Sequence, residues 1–163
     1  PIAVKLSPFF TSLAHFAARL DELGVNGVVL FNRFLQPDLS LEKMAAIPTL
    51  TLSAPSEALL PLRWIALLHG RIRADLAAST GVYDGAGALK AILAGAQVVQ
   101  LASSLVKSGI PHLGKILAAM EDWIDKRGEA LGSLRGCLSQ RAVSDPGAYE
   151  RAQYVHLILS QNI

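Results

Sequence analysis

A single cysteine, Cys137, leaves this 163-residue chain without an intrachain disulfide or any multi-cysteine metal site. Charge is scarce too: Asp, Glu, Lys and Arg make up 17% of the residues, against 52% apolar. So little charge beside so much buriable surface excludes a disordered chain. The 15 basic and 13 acidic residues leave a net charge of +2, and the basic ones are scattered. That excludes a nucleic-acid-binding surface built on a basic patch. A membrane-spanning run is missing as well. The best candidate, Ala91 to Val106, lies between Lys90 and Lys107 and is interrupted by Gly95, Gln97, Gln100, Ser103 and Ser104. It falls short of the ~20 apolar residues a span needs. The N-terminus, Pro-Ile-Ala-Val-Lys, lacks the basic region and apolar core of a signal peptide and reads as a chain starting directly on a strand. These absences predict a reducing, cytoplasmic setting and one domain over residues 1–163.

What is present is apolar sequence without a span, with a mean hydropathy of +0.38. Such sequence predicts elements buried on both faces, as in parallel sheets. Residues 2–6 and 27–31 read as short strands, with a helix over 12–23 between them, ended by Gly24. Residues 35–55 are irregular, punctuated by Pro37, Pro48 and Pro55, and Thr49 to Ser53 suits a short extended segment. A helix is expected from Pro61 to Gly70, a strand over 74–79, a helix over 86–94 and a strand over 97–101. Ser103-Ser104 opens a short helical turn, Pro111 a longer helix to Gly128, and Asp145-Pro146 a final helix over roughly 146–158.

Strand followed by helix, four times over, predicts parallel strands with right-handed crossovers. An open doubly wound sheet and a barrel both satisfy that order. A complete (β/α)8 barrel of the TIM type typically needs ~250 residues. The predicted fold is therefore four βα units of such a barrel, its C-terminal half, with a closing helix.

In either architecture function collects at the C-terminal ends of the strands. The residues there are Lys5, Asn32, Ser53, Thr80-Gly81-Val82 and Ala102-Ser103-Ser104. Alternation puts Lys5 on the face of Ala3, and Asn32 on the face of Val28 and Leu30. A lysine in so apolar a strand either meets an anion or polar ligand atom, or sits on an exposed edge or beside a carboxylate. The two small-residue loops, each between a strand and a helix, allow backbone N–H groups to approach a phosphate. They follow what would be a barrel's last two strands, where such enzymes often hold one. His15, His69, His112 and His156 do not fall at matched strand ends, and nothing has metal-ligand spacing. Cys137 reads as structural, and Trp64 and Trp123 as packing residues of outer helices.

At these residues the chain resembles the flavin-dependent dihydroorotate dehydrogenases, most closely the bacterial dihydroorotate dehydrogenase-like branch. The motifs are Val4-Lys5-Leu6-Ser7-Pro8, Leu30-Phe31-Asn32-Arg33-Phe34 with Gln36-Pro37-Asp38, Leu62-Arg63-Trp64, Leu93-Ala94-Gly95-Ala96, Val98-Val99-Gln100 and Ala102-Ser103. The tail, Ser139-Gln140-Arg141 with Asp145-Pro146 and Glu150-Arg151, is similar too. While the two open edges of a half-barrel predict a homo-oligomer, a homodimer, the resemblance implies a barrel holding FMN over its C-terminal mouth and a place in pyrimidine biosynthesis. It matches the family's flavin-contacting lysine to Lys5 and its asparagine to Asn32. It places Ser53 near the cofactor, and the phosphate loops at Gly81-Val82 and Ala102-Ser103-Ser104. Relatives usually carry two adjacent glycines in the first loop, where this chain has Thr80-Gly81. The family's other lysine, its substrate asparagines and its Cys or Ser base would all lie before Pro1, so no catalytic residue is assigned here.

Three functions compete at this stage. One is an FMN oxidoreductase acting on a small dihydroorotate-like substrate, oxidising a C–C bond next to a carbonyl. The second is a phosphosugar aldolase or isomerase-like barrel using Lys5 as a Schiff-base or electrostatic lysine. The third is a non-catalytic half-barrel that pairs with another copy to cover its open edges.

Overall fold

The computed structural model describes residues 1–150. It begins with strand β1 (Ala3–Leu6), helix α1 (Leu13–Glu22) and strand β2 (Gly27–Leu30). A hairpin, β3 (Asp38–Ser40) and β4 (Ala45–Ile47), and a 3-10 turn at Pro55–Ala58 lead into α2 (Leu59–Leu68). Then come β5 (Asp75–Ala78), α3 (Gly85–Ala94), β6 (Val98–Val99), α4 (Ser103–Ser108), α5 (His112–Arg127), α6 (Leu131–Leu134) and a 3-10 turn at Pro146–Tyr149. The main sheet has four strands in the order β1-β2-β5-β6, all parallel. This is the expected succession of βα units.

One face of the sheet is closed by helices. Val28, Leu30, Leu76 and Ala78 pack there with Leu13 and Ala17 of α1, Ile65 and Leu68 of α2, and Ala91 and Ala94 of α3. The opposite face carries Ala3 and Lys5, Gly27 and Val29, Asp75 and Ala77, and Val98. Ala3, Lys5, Asp75 and Val98 are exposed on it. The expectation of strands buried on both faces is corrected here: with four strands, nothing stands across the second face among the described residues.

Two more corrections concern local structure. The extended segment expected at 49–53 forms no strand; the strands of this region are 38–40 and 45–47, paired antiparallel. The expected loose stretch before Asp145 contains the short helix α6. The predicted last helix is a 3-10 turn over Pro146–Tyr149, capped by Asp145 accepting from the Gly147 N–H, and its remainder lies outside the described residues. Asp21 joins the end of α1 to the start of β5. Burial alone would raise its pKa, but N–H groups of Ala74 and Arg73, with the Arg73 guanidinium, hold it below the ordinary 3.8. No helix of the described residues is long and apolar enough to cross a membrane.

Candidate functional site

The C-terminal ends of the four strands open into a cavity of about 540 Å³. Lys5, Asn32, Ser53, Gly81, Val82, Ala102 and Ser103 all line it, so the sequence-predicted residues converge. Ser104 is not among the lining residues. It is fully buried, and its hydroxyl has no partner among the described residues. Asn32 reaches the cavity although Val28 and Leu30, its expected face-mates, are buried under helices. Strand β2 ends at Leu30, so alternation does not govern Asn32.

Ser53 ties the walls together. Its N–H donates to Ser103 Oγ at 3.1 Å, and its own hydroxyl accepts from the Gly81 N–H at 3.4 Å. The Tyr83 hydroxyl donates to the Ser53 carbonyl, and His112 Nε2 lies 2.7 Å from the Tyr83 carbonyl. The segment carrying Ser53 is clamped by Arg33, which pairs with Glu57 at 3.0 Å and donates to the Thr51 carbonyl. Glu57 in turn accepts from the Ala54 N–H at 2.7 Å. A chain leaving the irregular insertion is thus fastened to both small-residue loops.

The Thr80-Gly81 loop keeps a double left-handed backbone. Thr80 has φ +83° and Gly81 φ +76°. Glycine adopts such angles freely, whereas a β-branched threonine does so at a cost of about 1–3 kcal/mol. Thr80 Oγ1 donates to the Phe31 carbonyl at 3.2 Å, which returns about 1 kcal/mol. Thr80→Gly therefore relieves strain while losing that bond and loosening the unfolded chain by about 0.5–1 kcal/mol. A net change within about 1 kcal/mol is expected in urea unfolding. Thr80→Val keeps the strain and loses the bond, so it should destabilise by about 1 kcal/mol. Equal stabilities for Thr80→Val and the parent would count against the bond.

The two loops differ electrostatically. Helix α3 starts three residues after Val82, and its N-terminus is occupied by Asp84, whose carboxylate accepts from the Gly87 N–H at 2.7 Å. Helix α4 starts at Ser103 itself, and Ala102 at its N-cap supplies no side-chain cap. Backbone donors beside the cavity are therefore freer in the second loop. Among the described residues two cations line the cavity, Lys5 and Arg33. Arg33 is neutralised by Glu57, while Lys5 Nζ meets a neutral acceptor, Gln100 Oε1, at 3.4 Å.

Tyr83, Gln100 and Arg33 escaped the sequence reading as functional residues. Gln100 carried a usable signal, lying two residues beyond Val98 and so on the face of Lys5. The other candidates sit elsewhere. His15 and Cys137 are exposed, His69 is wedged between Gly95 and Gly136, and His156 lies outside the described residues. Trp64 packs on the core as expected, and Trp123 is half-buried under Arg127. Among the described residues no three His, Cys, Asp or Glu side chains are grouped to hold a metal ion.

Parallel βα units with a small-residue cavity at the strand ends are the arrangement of part of a TIM-type barrel. The solved structures agree on the fold. Ligand-free dihydroorotate dehydrogenase (DHODH) from Eimeria tenella matches with a TM-score of 0.66 at 20% identity, over 82% of this chain and 39% of that one. The same enzyme in complex with ferulenol matches with a TM-score of 0.65. No family model matches the sequence. Among curated proteins, the catalytic subunit of dihydroorotate dehydrogenase B (NAD(+)) from Citrifermentans bemidjiense is 30% identical over 144 residues, 85% of this chain and 46% of the relative. Its counterpart from Desulforamulus reducens is 27% identical over 132 residues, 78% and 43% respectively. Dihydroorotate dehydrogenase A (fumarate) from Lacticaseibacillus paracasei is 28% identical over 128 residues, 75% and 44%. The chain is thus a distant homologue of the dihydroorotate dehydrogenases over about four fifths of its length, and spans less than half the length of these relatives.

Proposed function

We propose that this chain forms the phosphate grip and one wall of an FMN site in a dihydroorotate dehydrogenase-like oxidoreductase. The observation that carries the reading is the convergence of Lys5, Asn32, Ser53, Gly81, Val82, Ala102 and Ser103 on one cavity. Its volume, about 540 Å³, suits a cofactor-sized ligand. The lining is also of the right chemistry for FMN, with small-residue backbone and an ammonium that meets no carboxylate among the described residues.

FMN would supply the acceptor of a hydride drawn from a C–C bond next to a carbonyl in a small dihydroorotate-like substrate. The residues of this chain bind and orient. Backbone N–H groups at Ala102 and Ser103 are the stronger phosphate donors, because the Gly81 N–H already serves Ser53. Lys5 presents positive charge to the ring, where a reduced flavin gathers negative charge. Asn32 offers an amide to ring or substrate. Ser53 holds the two phosphate loops at a fixed separation. The proton-abstracting base is not assigned to this chain.

The test is the absorbance spectrum of the purified protein, followed by titration with FMN. Bound flavin, or saturable uptake of added FMN, is expected. Lys5→Ala should weaken FMN binding a few-fold and shift the potential of the bound flavin downward, since it removes a cation beside the ring. A protein that takes up no FMN at any concentration tried would overturn the proposal.

A further inference from the structure

We infer that Gln100 is the positioning residue for Lys5, holding its ammonium at the mouth of the cavity as a charge that no carboxylate among the described residues cancels. The inference rests on the reading of Lys5 as the residue facing the flavin. Lys5 lies on β1 and Gln100 just beyond β6, the two edge strands of the sheet. Yet Lys5 Nζ donates to Gln100 Oε1 at 3.4 Å. The lysine therefore extends across the open face, over the row formed by Val29, Ala77 and Val98. That row offers no polar side chain, so the far end of the sheet supplies the acceptor.

The identity of the acceptor matters more than its presence. Glutamine and glutamate have nearly the same shape, and either could reach the lysine. A carboxylate would form an ion pair and remove the positive field from the cavity, as Glu57 does for Arg33. An amide fixes the position of the ammonium and leaves its charge intact. Charged groups nearby fit this division. Arg33 is occupied by Glu57, and Asp75 lies two residues before Ala77, in the row of Ala3 and Gly27, on the side of the face away from the mouth. Gln100 lines both the site cavity and a second cavity of about 330 Å³ on the open face, so it stands at their boundary.

Two exposed-surface variants test this, Gln100→Glu and Gln100→Leu, with circular dichroism to verify that both fold. The first readout needs no flavin: the rate at which acetic anhydride modifies Lys5, followed by peptide mass spectrometry with Lys90 and Lys107 as internal references. Gln100→Leu should speed modification at least threefold by freeing the amine, and Gln100→Glu should slow it at least threefold through the ion pair. Equal rates in all three proteins would overturn the inference, whether or not flavin binds. The second readout is the potential of bound FMN. In Gln100→Glu the reduced form should lose about tenfold in affinity relative to the oxidised form, which lowers a two-electron potential by about 30 mV. In Gln100→Leu the charge survives, so the fall should be smaller. Altered acetylation with an unmoved potential in Gln100→Glu would overturn the role assigned to the charge. Failure of the parent protein to bind FMN would instead sink the proposed function, leaving acetylation to decide on Gln100.

Discussion

Gly81→Val should cost the protein about 3 kcal/mol or more, read as a large fall in the urea midpoint at unchanged slope. Two independent penalties combine. The backbone at Gly81 has φ +76°, which a β-branched residue rarely adopts. A Cβ there would also lie 2.3 Å from the Ala58 backbone nitrogen and 2.9 Å from its Cα. Those atoms belong to the turn that starts α2 and cannot swing aside as a side-chain tip can. Gly114→Ala provides the contrast. It lies inside α5 with nothing within 4 Å of the added Cβ, so it should stabilise by about 0.5–1 kcal/mol through helix propensity alone. Similar unfolding midpoints for Gly81→Val and the parent would show that Ala58 is not packed against Gly81. The bare backbone at Gly81 thus has a use besides the proposed one of admitting a phosphate. It lets the α2 turn come close enough to pin one wall of the cavity. A loss of FMN binding in Gly81→Val must therefore be read beside its stability.

The 163-residue chain should self-associate, and sedimentation should give a mass that rises with concentration toward at least a dimer. Strands β1 and β6 each have one edge without a partner among the described residues, which leaves backbone groups ready to pair with another chain. The open face adds apolar surface, with Val98 51% exposed on it. A second copy covers both kinds of surface at once. Val98→Asp puts a carboxylate into that contact and should weaken association at least tenfold, since an unpaired charge is costly to bury. A chain that sediments as a folded monomer at all concentrations would refute the expectation.

Much of the main sheet was legible because its signals are local. Val28 and Leu30 announce a buried strand, Gly24 and Gly95 stop helices, and Pro111 starts one. The hairpin was not legible for the same reason. Its strands are three residues each, its Leu39, Leu41 and Met44 are exposed, and no turn motif marks it. The site residues could be found from their places at strand ends, but their bonds could not. Ser53 is fastened to Gly81 and Ser103, 28 and 50 positions away, and no periodicity reports a contact of that range. The left-handed backbone of Thr80 was hidden by its residue type. Its φ of +83° comes with a hydroxyl bond to the Phe31 carbonyl, a contact across 49 positions.

The bond from Lys5 to Gln100 spans 95 positions of sequence, and its two ends meet only because β2 and β5 lie in order between them. No shorter piece of the chain can make that contact. Closing so long a loop is repaid only after the intervening pairings exist. The cavity is therefore complete only once the last strand is in place. Any ligand that recognises Lys5 and the Ala102-Ser103 loop together recognises the finished sheet, and its binding free energy is added to the stability of the entire four-stranded unit.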